Sequence, residues 1–138
     1  MIIRLLVADR TALAEALRAA WDSGAGPCTL DFYTAPMPAG GPSEAVGAQV
    51  KLGTLTCTEP LGTAAAGALP FDAIAQDNAA DADGDASWCR LVDAAGVARA
   101  DFDVTNAAGA GAVKVNTTLI VAGGPIRVIS FIVLIGGA

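Results

Sequence analysis

Ten residues near the end of the chain, Ile126 to Ile135 (IRVISFIVLI), constrain the fold most. In a strand, Ile126, Val128, Ser130, Ile132 and Leu134 share one face, and Arg127, Ile129, Phe131, Val133 and Ile135 share the other. From Val128 onward both faces are apolar apart from Ser130. A strand with one wet face alternates apolar and polar residues. This one needs cover on both sides, because a bare apolar strand invites aggregation. The cover comes either from a second layer of the same domain or from a neighbouring subunit. A membrane helix takes roughly 20 apolar residues, about twice this run, so no membrane span is expected.

The length, 138 residues, suits a single structural domain over 1–138. Hydrophobic residues make up 54% and aromatics only 5%, so the core must be built mainly from Ala, Val, Leu and Ile. Leu13, Leu17 and Trp21 recur every four residues among alanines, which predicts a short amphipathic helix over Leu13 to Asp22. Asp9 or Thr11 is positioned to cap its start, and the glycines and Pro27 after Asp22 end it. The run Ile2 to Val7 is short for a secretion signal and is broken by Asp9. It reads instead as a strand or a docking arm over residues 1–8.

After the helix the pattern turns to β. Strands are predicted over Cys28–Thr34, Gln49–Thr58 with a bulge at Gly53, and Gly67–Gln76, where Pro70 suits an edge. Ser87–Asp93 and Val97–Val104 are predicted to form a hairpin across Ala94-Ala95-Gly96. Ala112–Thr118 and Ile126–Ile135 complete the set. Ala35–Gly47, with three prolines and three glycines, reads as a loop or arm without regular structure; Glu59–Ala66 and Asp77–Ala86 read as loops. Frequent glycine turns between short strands predict a mainly β domain, an antiparallel β-sandwich or jelly-roll-like unit with one short N-terminal α-helix.

Composition narrows function. The chain has no histidine, which removes the commonest general base and metal ligand. Cys28, Cys57 and Cys89 lie far apart with no CxxC, so they read as partly buried strand thiols rather than a zinc site or disulfide framework. Residues 72–103 carry the whole net charge of −6, and no basic patch exists, which argues against nucleic acid. Asp81, Asp83 and Asp85 alternate like the start of a calcium loop and are the candidate metal ligands. Such a loop continues with Gly and a bidentate Glu, where Ala86 and Val92 stand, so a solvated turn is the simpler reading. Asp101 and Asp103 share a strand face without the aromatics of a sugar cleft and read as the solvent side of the hairpin. Phosphate-loop, dinucleotide and nucleophile-elbow motifs are absent from the sequence. Trp21 and Trp88 read as core anchors. No enzyme activity and no cofactor are expected.

The order of segments carries a resemblance. The Ala-rich helix runs into CTLDFYTAPMP (28–38), then LGTLTCTEP (52–60), then ASWCRLVDAAG (86–96), then VKVNTTLIVAGGPIRVISFIV (113–133). Over nearly the whole chain this resembles a family of small phage and prophage virion structural proteins. The resemblance implies a virion component, a capsid decoration or cement (minor capsid) protein that is commonly oligomeric, with a trimer fitting local threefold sites. Its implied partners are the major capsid protein or other virion proteins, and copies of itself. A tail or fibre component, or a cell-surface or carbohydrate-binding module, is the alternative. The apolar ending and the Ile2–Val7 stretch depart from the family pattern. The residues expected at contacts are Ile2, Ile3, Leu5, Leu6, Met37, Ile129, Phe131 and Val133, together with the 35–47 loop.

Overall fold

In the computed structural model, which describes residues 1–136, the Ala-rich segment forms helix α1 (Val7–Trp21). It starts six residues before Leu13, so the expected arm shortens to the residues ahead of Val7. Neither Asp9 nor Thr11 caps it; Leu6 occupies the cap position without a side-chain bond. Asp9 lies in the first turn, where a carboxylate suits the helix dipole. Thr11 serves docking instead: its hydroxyl donates to the Val7 carbonyl and accepts the Gly67 N–H, both at 2.8 Å. The inward stripe is Ala14 and Trp21, with Leu17 half-buried, whereas Leu13 faces solvent. Alanine at the contact lets the helix approach the sheet closely, which a leucine there would prevent.

The strands are β1 (Thr29–Tyr33), β2 (Lys51–Thr56), β3 (Ala68–Pro70), β4 (Gly84–Asp85), β5 (Trp88–Val92), β6 (Ala98–Asn106), β7 (Val113–Val115), β8 (Leu119–Ile120) and β9 (Val128–Leu134). Seven form one sheet in the order β2-β1-β5-β6-β7-β9-β3, and β4 pairs with β8 apart from it. The chain is thus a β-rich domain with one N-terminal helix, as its patterning predicts. The β5–β6 hairpin forms where expected, with Gly96 at φ +86° in its turn. The bulge at Gly53 is real: Phe32 pairs with Gly53, but Tyr33 pairs with Lys51. A Cβ on Gly53 would meet Ile126 and the Asp77 carboxylate, which accounts for glycine in a buried strand.

Two features of the sheet were not expected. First, β6 and β7 run parallel, Val104 opposite Val113. Parallel neighbours usually need a crossover of a dozen or more residues. Here the paired stretch is three residues long, so the six-residue return 107–112 suffices. Gly109 and Gly111 permit it by lying against Thr105, whose hydroxyl accepts the Gly111 N–H at 3.0 Å. Second, the predicted strand 67–76 is regular only over Ala68–Pro70, because the segment before it is no free loop. Isolated bridges join Thr56 to Ala75, Gly62 to Phe71 and Ala65 to Ala68. They form an irregular hairpin about Ala66 and Gly67, both at positive φ, as a two-residue turn of this kind requires. The chain leaving β2 therefore pairs with the chain entering and leaving β3. The hydrogen-bonded order thus runs in a ring.

One core fills the ring. Leu30, Phe32, Leu52, Leu61, Leu69, Leu91, Val113, Val115 and Ile126 are fully buried in it. Four of the seven aromatics gather at one place: Phe131 stacks on Phe71 at 4.0 Å and meets Phe102 edge-on at 4.8 Å, and Trp21 of α1 closes over Phe102 at 5.7 Å. Asp22 ties the helix end to the ring by accepting the Leu61 N–H at 3.2 Å.

Candidate functional site

The residues with acid–base or ligand chemistry do not converge. Among the described residues, no three of His, Cys, Asp and Glu are grouped so as to hold a metal ion. Asp81, Asp83 and Asp85 are exposed; Asp83 accepts the Ala122 N–H at 2.7 Å and so braces a turn. Ser130 faces solvent on β9. The hollow between Phe71–Ile74 and Val128–Phe131 holds only about 70 Å³, and two wider hollows on the surface, beside Pro36 and Gln49 and beside Ser87 and Thr105, hold about 330 and 370 Å³. Among the described residues, no helix is long and apolar enough to cross a membrane.

Among the described residues, one ion pair has both side chains buried, Arg90 with Asp101. On β5, Cys89 and Leu91 point into the core, so Trp88 and Arg90 lie on the opposite, outer face. That face is covered by the proline- and glycine-rich loop, which folds back over the sheet with a single 3-10 turn at Gly41–Ser43. Arg90 donates to Asp101 on β6 through Nε at 2.7 Å and Nη2 at 2.9 Å, a bidentate pair. It also donates to the backbone carbonyls of Glu44 at 2.9 Å and Gly41 at 3.1 Å. The Asp101 side chain is only 3% exposed, so its reading as a solvent-face carboxylate is corrected; Asp103 is the exposed one. The hydrogen bond from Arg90 to Asp101 raises the guanidinium pKa further, against the effect of burial. Trp88 is buried, donates its indole N–H to the Thr34 carbonyl at 2.8 Å and stacks on Tyr33 at 4.6 Å. This clamp holds the 35–47 loop against the outer face of the sheet. Met37 remains exposed on it, while Pro38 is buried.

A second carboxylate holds the hairpin turn. Asp93 accepts the N–H groups of Ala95 at 3.0 Å and Val97 at 2.9 Å, and Arg99 donates to it at 2.8 Å. The Val97 N–H, with lesser help from Arg99 and Ala95, holds its carboxyl below the usual value of 3.8 against the opposing effect of burial. A depressed folded-state pKa contributes stability that is complete above the unfolded value and lost as pH falls through the folded one. Asp93→Asn therefore lowers the urea midpoint at neutral pH, and its gap to the wild type narrows below pH 3.8. A gap that stays constant into strong acid counts against this role.

What the surface does show is an apolar edge. The contact residues expected on β9 sort by face. Phe131 is buried and Val133 is half-buried against the core, so these two are corrected to core positions. Ile129 is exposed, and the outward partners are Ile132 (48% exposed) and Leu134 (76%). Core packing selects the odd face because Phe131 completes the aromatic cluster. Beside this lies β3, with Pro70 opposite Ile132 and Ala68 opposite Leu134. Gly67, which bonds to Thr11, also accepts the Ile135 N–H at 3.0 Å, so the start of α1 reaches the same edge. Ahead of α1, Ile2, Ile3 and Leu6 are exposed and Leu5 is half-buried. Arg10 sits over Gly67 with its buried Nε unpartnered among the described residues. Even spacing in the sequence could not say which face of β9 turns out, since both faces are apolar. No family model, curated protein or solved structure matches the chain.

Proposed function

We propose that the protein is a non-enzymatic structural subunit of a phage particle, a capsid decoration or cement protein that acts by burying surface against neighbours. The observation carrying the association mechanism is the exposure of large apolar side chains at two places, Ile2, Ile3 and Leu6 ahead of α1 and Ile132 and Leu134 on β9. Exposed apolar side chains in such number mark contact sites. The virion setting rests on the segment order described above. A subunit that binds only the assembled state stabilises it by mass action, and repeated copies multiply the effect. Closed symmetry is the usual outcome of self-association, and a trimer suits threefold positions on a shell.

The test is incorporation. Particles produced by a host carrying the encoding gene contain the wild-type chain in many copies by mass spectrometry. The variant Leu6→Ser, Ile132→Ser, Leu134→Ser is recovered on particles at least tenfold less, which is about 1.4 kcal/mol of contact energy per subunit. Its urea midpoint stays near the wild-type value because all three side chains are exposed. Absence of the wild-type chain from particles, or full incorporation of a folded variant, overturns the proposal. Electron microscopy that places the chain on a tail overturns the shell assignment.

A further inference from the structure

Cys28 and Cys57 stand just beyond the ends of the β1–β2 ladder. The register Leu30–Leu55, Thr29–Thr56 continues to bring these two residues opposite each other, and the Cys57 N–H donates to the Cys28 carbonyl at 3.0 Å. Directly opposed residues of this hydrogen-bonded kind have Cα atoms about 5.5 Å apart and side chains on the same face. That separation lies inside the window of a disulfide. Both thiols are free and buried, Cys57 being 5% exposed at the end of its strand. The third thiol is no competitor. Cys89 pairs with Phe32, four residues along β1 from Cys28, or about 13 Å at the usual strand rise.

We propose that Cys28 and Cys57 are a dithiol oxidation site that closes to an intramolecular disulfide with a peroxide as oxidant. The register sets the two thiols on one face, and their mutual interaction lowers the Cys28 pKa and raises that of Cys57. Cys28 is thus the more readily ionised of the two, and Cys57 the resolving thiol. The Cys28 thiolate attacks one oxygen of hydrogen peroxide, breaking the O–O bond and releasing hydroxide, and becomes a sulfenic acid. The Cys57 sulfur then attacks the Cys28 sulfur and forms the S–S bond. The S–OH bond breaks, and the hydroxyl leaves as water with the Cys57 proton. Overall, two thiols are oxidised and one peroxide is reduced to two waters. The bond would tie the start of β1 to the end of β2, where the irregular hairpin closing the ring begins. A disulfide there restrains the unfolded chain and leaves the folded ladder in place.

The test uses the full chain, treated with hydrogen peroxide at neutral pH, quenched, denatured and counted for thiols. The count falls from three to one, and a non-reducing tryptic digest contains peptides 19–51 and 52–90 linked through sulfur. Cys89→Ala retains the linked pair, which assigns the bond to Cys57. Cys57→Ser abolishes it. Three intact thiols after exhaustive treatment, oxidation to sulfinic acids without the linked peptide, or a linked peptide that survives in Cys57→Ser overturns the proposal.

Discussion

Replacing Arg90 by methionine lowers the folding free energy by about 3–5 kcal/mol, the usual cost of removing one partner from a buried ion pair. The side chains of Arg90 and Asp101 are 7% and 3% exposed, so neither charge is solvated once alone. Methionine keeps the aliphatic stem over Trp88, where the guanidinium carbon lies 5.3 Å from the ring centre, and so isolates the loss of charge. The same change strips the donors from the Gly41 and Glu44 carbonyls, and the 35–47 loop loosens over the outer face of β5. Urea denaturation reads the stability loss as a lower midpoint. Adding Asp101→Leu to Arg90→Met restores the part due to the lone carboxylate, because a buried pair replaced by apolar groups is close to neutral. A single Arg90→Met variant within about 0.5 kcal/mol of wild type would show that the loop, not the pair, holds this face.

The second large effect tests which way the last strand faces. Phe131→Ala costs about 3–5 kcal/mol, since it empties a buried aromatic site between Phe71 and Phe102. Its neighbour Ile132 is 48% exposed, and Ile132→Ser changes stability by about 0.5 kcal/mol or less. The contrast between adjacent residues is the signature of register. A one-residue slip would exchange the two results. Equal large losses at both positions would mean that Ile132 is covered too.

Local chemistry made much of this fold legible. Ala94-Ala95-Gly96 between two β-patterned runs specified the hairpin, and the structure adds Asp93 as its brace. Gly53 marked a bulge, and Trp21 and Trp88 were readable as buried anchors. These signals work because a turn or a bulge depends on the few residues that form it. The Arg90–Asp101 pair was less legible, although the hairpin register sets the two residues opposite each other. Strand alternation puts them on a shared face but does not reveal that a loop nearly fifty residues upstream of Arg90 covers that face.

The apolar run Ile126 to Ile135 divides the two kinds of information most clearly. By itself the sequence determined that this segment is a strand needing cover on both faces. Only the tertiary structure decided that Phe131 turns inward while Ile132 and Leu134 turn out. It likewise decided that β6 and β7 pair in parallel, and that the chain after β2 meets β3 to complete the ring. The reason is physical. Period and turn residues set a strand's existence over a few ångströms of chain. The choice between two apolar faces depends on aromatic partners brought from Trp21, Phe71 and Phe102, segments whose proximity exists only once the ring has closed.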